Sequence, residues 1–243
     1  MNATMFYIGG SKGGVGKSKV SFALIDYLMS NGHKVLLLES DTANPDVYKA
    51  HLAHANEGLV CKLSNLDEAE GWIELVNFAD AYPEHVMVIN SAARSNKGIE
   101  QHGATLRETL GELQRELVTF WVLNRQRDSL ELLRGFLNVF PDALIHACRN
   151  LHFGDAGKFV LYSESQAKQI VEKKGKTLDF PDLADRVADA VYSRRIPIWV
   201  GMKELTIGDR AELKRWRTAY GAMFGQVLGD MAVAKPDEDA AHE

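Results

Sequence analysis

Met5-Phe6-Tyr7-Ile8-Gly9-Gly10-Ser11-Lys12-Gly13-Gly14-Val15-Gly16-Lys17-Ser18 decides the reading of this chain. An apolar strand runs into a glycine-rich turn, and an amphipathic helix follows. That order aims several backbone N–H groups and a helix N-terminus at one point, which suits a polyphosphate. Gly13, Gly14 and Gly16 open backbone angles closed to residues with a Cβ and let the amides approach phosphate oxygens. Lys17 reaches β- and γ-phosphates, and the Ser18 hydroxyl can ligate Mg²⁺.

The ordinary phosphate-loop motif carries a glycine where this chain has Ser11, and this chain adds Lys12 at the head of the loop. Two lysines so close repel each other unless an anion sits between them. With both lysines and the serine, the run resembles the deviant Walker A pattern of the ParA/MinD ATPases. The resemblance implies that Lys12, Gly13, Gly14, Val15, Gly16, Lys17, Ser18 and Lys19 bind nucleotide. It also implies that Lys12 crosses a dimer interface to the partner's nucleotide, so that two chains close on ATP.

Apolar runs separated by turn signals predict strands near 4–9, 34–39, 85–90, 117–123, 142–148 and 195–199. Helices are expected near 17–31, 67–79, 101–115, 127–139, 163–173, 181–192 and 207–227. Strands that are apolar throughout and alternate with helices imply a doubly wound, mostly parallel α/β sheet covered on both faces, the three-layer P-loop NTPase architecture. Ligands in such sheets bind beyond the carboxyl ends of the strands, so the loops there should carry the remaining chemistry.

After the second strand the chain reads Glu39-Ser40-Asp41-Thr42-Ala43-Asn44-Pro45-Asp46. Glu39 and Asp41 stand where ParA/MinD proteins carry two acids one residue apart. The resemblance assigns Glu39 to the Mg²⁺ water shell and Asp41 to the attacking water. The third strand ends at Asn90, where the family carries an aspartate for the Mg²⁺ shell. An amide oxygen still accepts from a metal-bound water but removes one negative charge, so slower hydrolysis or weaker Mg²⁺ binding is expected. Arg94 follows as a γ-phosphate sensor or a solvated loop residue. By the same resemblance Asn150 meets the adenine edge, and Pro197 walls the base from the other side.

The 243 residues are 46% hydrophobic and 25% charged, enough for one large core, so residues 1–228 are expected to form a single nucleotide-binding domain. The formal charge is −5, and five acids against Lys235 lie within 230–243. Residues 229–243 therefore read as an acidic, disordered tail on a nearly neutral body. No run of about 18 apolar residues occurs, and the N-terminus lacks a cationic-then-apolar signal, so a cytoplasmic protein is expected. Cys61 and Cys148 have no paired spacing, which argues for reduced, structural thiols.

Three functions follow from these residues. The first is a slow ATPase, using ATP and Mg²⁺, that dimerises on ATP and recruits or positions DNA or a partition or conjugative-transfer complex. The second is an interaction switch with negligible hydrolysis, because of Asn90. The third is an ATP-dependent ligase of the same fold, although such ligases generally lack a lysine at the position of Lys12. A terminal membrane helix is not expected, since Met231–Lys235 is followed by acids that anionic lipid repels. Lys203, Arg210, Lys214, Arg215 and Arg217, with three acids interspersed, form a modest basic face for DNA. The segments Ser40–Asp46 and Asn150–Gly154 resemble the family branch found with plasmid conjugation and mobilisation.

Overall fold

In the computed structural model the described residues are 4–11, 13–93 and 95–229. The elements run β1 (Met5–Gly10), α1 (Lys17–Ser30), β2 (Val35–Glu39), α2 (Asp46–Leu52), β3 (Leu59–Leu63), α3 (Ala69–Asp80), β4 (Val86–Asn90), α4 (Asn96–His102) and α5 (Ala104–Thr109). They continue with β5 (Leu117–Leu123), α6 (Asp128–Val139), β6 (Leu144–Asn150), α7 (Val160–Ser163), α8 (Gln166–Val171), β7 (Thr177–Phe180), α9 (Asp185–Arg194), α10 (Ile198–Glu204) and α11 (Ile207–Leu228). One seven-stranded sheet has the order β3-β2-β4-β1-β5-β6-β7, and its neighbouring strands pair in parallel.

Both faces of the sheet are covered, as continuous apolar strands require. Successive side chains of β1 go to opposite faces: Phe6 and Ile8 join one core with α1, α9 and α11, while Met5 and Tyr7 join the other with α3 and α6. β2 divides likewise, Val35 and Leu37 against Leu36 and Leu38. The chain is thus a doubly wound three-layer P-loop fold. Among the described residues no helix is long and apolar enough to cross a membrane.

Four readings of the sequence need correction. β3 and β7 were not expected as strands. They are the two edges of the sheet, and Lys62 and Asp179 interrupt their apolar runs, so they lack the uniform apolar pattern of the interior strands. The segment 195–199 is not a strand. Arg195 adopts a left-handed φ of 48° that ends α9, and Pro197 caps α10. The expected helix 101–115 is two short helices that begin earlier, and a left-handed Gln114 at φ 52° turns the chain toward β5. α2 occupies residues where no helix is expected, its first turn carrying Asp46 where the helix dipole favours an acid. The acidic residues from Asp230 onward lie outside the described residues.

Candidate nucleotide-binding site

The loop between β1 and α1 sits at the centre of the sheet, where the strand order reverses and an α/β fold opens its ligand crevice. Gly14 and Gly16 hold φ of 80° and 101°, left-handed values that favour glycine. Gly16 is also the N-cap of α1 and offers no side-chain cap, so an incoming anion can take the helix's first amides. Below the loop, the Asn150 side chain fills the space that a Cβ on Gly16 would need and donates to the Val15 carbonyl at 2.8 Å. At the loop's start, Ser11 hydrogen-bonds Ser129 at 3.0 Å, tying it to α6.

A cleft of about 230 Å³ opens over this loop, lined by 13–19 together with Asp41, Asn90, Ser91, Ala93 and Tyr192. Lys17 is 7% exposed. Burial pulls its ammonium down to about 8, while Asp41 and Glu39 pull the other way. A buried cation in a concave, amide-lined site is complementary to phosphate. Ser18 and Asp41 offer oxygen donors at the cleft, a set that fits a hard cation such as Mg²⁺. Among the described residues no three His, Cys, Asp or Glu side chains gather into a metal cage.

The structure brings Glu39, Asp41 and Asn90 to neighbouring strand ends but turns Glu39 inward. Its side chain is fully buried and is not among the residues lining the cleft. Asn90 Nδ2 donates to both Glu39 oxygens, at 2.8 and 3.0 Å, and the Asp41 backbone N–H donates to one of them at 3.0 Å. Asn90 Oδ1 accepts from the Ser21 hydroxyl at 2.8 Å. Burial drives the Glu39 carboxyl up to about 7 despite these bonds. Within the fold, Glu39 and Asn90 thus contact each other, Ser21 and the Asp41 backbone, while Asn90 also borders the cleft.

Asn150 supports the loop from beneath and accepts from the His152 N–H at 3.1 Å. The strand beside β6 is β7, with Asn150 registered against Phe180, so the proline following that strand is Pro181. Pro197 heads α10 instead. At this end His152 Nδ1 meets Asp182 Oδ1 at 3.1 Å. The alternating Thr177-Leu178-Asp179-Phe180 before a proline was the available signal. Ser21 and Tyr192 carried none, because their roles depend on which elements pack over the loop. Lys12 and Arg94 lie outside the described residues. The two thiols are unpaired, and burial raises Cys61 to about 12 and Cys148 further.

Of the basic face, Arg215 pairs with Glu212 and Arg217 with Asp26, each through its Nε, at 2.6 and 2.7 Å. Arg210 donates to the Lys203 carbonyl.

Residues 6–139 match a family model described as the CobQ/CobB/MinD/ParA nucleotide binding domain. Protein MobD of Acidithiobacillus ferrooxidans is 55% identical over 218 residues, covering 89% of this chain and 94% of that protein. The MinD cell division protein of Aquifex aeolicus superposes with a TM-score of 0.51 at 18% identity, over 91% of this chain and 97% of its own. The ATP complex of a Cyanothece McdA variant superposes at 0.52 and 14% identity, over 90% and 97%. At such identities the two structures speak to the fold.

Proposed function

This chain belongs to the CobQ/CobB/MinD/ParA nucleotide-binding domain family, and from that premise we propose that it is an ATP-dependent switch that hydrolyses ATP slowly. Two copies close when ATP and Mg²⁺ bind, and the closed pair positions DNA or a partition or conjugative-transfer complex. The observation that carries the reading is the buried Lys17 ammonium facing an amide-lined cleft beside Ser18 and Asp41.

In this reading the amides of 13–19 and the Lys17 ammonium hold the β- and γ-phosphates, and the Ser18 hydroxyl reaches Mg²⁺. Bound Mg²⁺ supplies charge neutralisation on the phosphate oxygens. Asp41 orients a water toward the γ-phosphate, and Lys12 reaches the partner's nucleotide. Asn150, with Pro181 beside it, bounds the base side. A DNA contact falls first to Lys203 and Lys214, since Arg210, Arg215 and Arg217 are engaged within the fold. The branch associated with conjugation and mobilisation is the one we favour, on the segments 40–46 and 150–154.

Light scattering with ATP and Mg²⁺, against ADP, tests the switch. A doubling of mass with ATP is expected, its loss in Lys12→Ala, and its persistence in Asp41→Ala, which should trap the closed pair. A monomer in every condition refutes the reading. A second reading, a switch with negligible turnover, draws support from Glu39 and Asn90, whose mutual bonds leave Asp41 as the carboxylate lining the cleft among the described residues. Phosphate release at background with ATP still bound selects it.

A further inference from the structure

Glu39 ends β2 and Asn90 ends β4, and the two are registered side by side in the sheet. Their side chains meet in the protein interior, where an amide can satisfy a carboxylate in only one orientation: nitrogen toward the acid, oxygen away. The oxygen turned away is received by Ser21, on the second turn of α1. The carboxylate also accepts from the backbone N–H groups of Asp41 and Tyr48. The Ser21–Asn90–Glu39–Asp41 chain thus links the phosphate-loop helix to the one acid that lines the cleft among the described residues.

We propose that Glu39 and Asn90 work as an acid–amide brace, oriented by Ser21, that positions the Asp41 backbone. All three are positioning residues rather than groups that meet the metal's water. This inference rests on reading the cleft as a nucleotide and Mg²⁺ site only for its functional consequence, since the brace itself is made by contacts within the fold. It demands one acid and one amide at this pair, whichever strand carries which. Restoring an acid on β4 alone places two carboxylates within hydrogen-bond distance, and both cannot stay ionised there.

The test is a charge-exchange cycle: Asn90→Asp, Glu39→Gln and the double variant, each melted without nucleotide and titrated with a fluorescent ATP analogue in Mg²⁺ and in EDTA. The expected result is a lower melting midpoint for Asn90→Asp, recovered by at least about half in the double variant, since only contacting groups couple in this way. The ratio of affinities with and without Mg²⁺ should fall by about tenfold in the single variant and return in the double, a change equivalent to about 1.4 kcal/mol. A midpoint for Asn90→Asp equal to or above that of the parent, with a stronger Mg²⁺ dependence, overturns the brace and returns both residues to the metal shell. Additive, uncoupled single effects overturn it as well.

If Asn90→Asp does not fold, Ser21→Ala carries the test, with a lowered midpoint that Ser21→Thr restores. An unchanged midpoint in Ser21→Ala overturns the proposal. A parent protein that binds no ATP would fail the nucleotide reading, and the ligand-free melts would still decide the brace.

Discussion

The side chain of Asn150 stands where a Cβ of Gly16 would have to go, and its amide holds the carbonyl of Val15. The phosphate loop is therefore propped from the end of β6, a strand two places away from β1 in the sheet. Gly16→Ala combines that collision with a left-handed φ and should abolish ATP-analogue binding in a fluorescence titration while leaving a folded protein by circular dichroism. Asn150→Ala removes the prop without the collision. It should lower stability by about 1–3 kcal/mol in urea unfolding, the cost of an unsatisfied buried group, and weaken nucleotide binding less than Gly16→Ala.

Lys17 yields a pH prediction. Its ammonium loses its proton near pH 8 in the unliganded protein because burial disfavours the charge. Phosphate binding needs the charged form, so affinity for ATP should be level below about pH 7 and fall as pH rises through 8. Calorimetry in buffers of different ionisation enthalpy should show proton uptake on binding near pH 8. Constant affinity to pH 9.5 contradicts this.

Acid lability comes from two buried imidazoles. Burial lowers both His51 and His146 to about 4, and each has a ring nitrogen without a partner in the fold. The unfolded chain binds protons near 6.5 that the folded one refuses, so the stability these groups provide is complete above pH 6.5 and is lost as pH falls toward 4. The loss reaches about 3 kcal/mol for each fully buried site. Urea midpoints measured from pH 7 to pH 4.5 should drop steadily. Glu39, raised to about 7, takes up a proton in the fold over the same window and opposes part of the drop; a flat profile in Glu39→Gln would show that neither ring stays neutral in the fold.

Asp26, inside α1 and 1% exposed, is held by Arg217 and Tyr220 of α11. Arg217→Met keeps the aliphatic stem but strands a buried carboxylate. Breaking a buried pair costs about 3–5 kcal/mol; because Arg217 is partly exposed, water should screen the loss to about 2 kcal/mol. The double variant Asp26→Asn/Arg217→Met should regain part of it. Equal unfolding free energies for parent and Arg217→Met would show the pair to be energetically idle.

Most of the interior was legible because interior strands of a parallel sheet are apolar on both sides and write an unbroken signal. Val35–Leu38, Val86–Ile89 and Leu117–Leu123 all fall where that signal lies. The edge strands β3 and β7 escaped notice because one flank meets solvent and admits Lys62 and Asp179. Mistaking 195–199 for a strand went with the missed β7: Pro181 follows that strand, whereas Pro197 heads α10. Short apolar runs do not distinguish a strand from the start of a buried helix, and residues 195–197, opening on the left-handed Arg195, separate α9 from α10.

The identity of the phosphate loop was determined by sequence alone, because its chemistry is local: glycines, a lysine and a serine at fixed offsets act through their own backbone and the helix that follows. The partners of Glu39, Asn90 and Asn150 were decided by tertiary structure. These polar side chains are buried, where each must find a hydrogen-bonding group brought from a distant part of the chain. Spacing along the chain records no such meeting; it exists only once β2, β4 and β6 lie in one sheet with α1 packed across it.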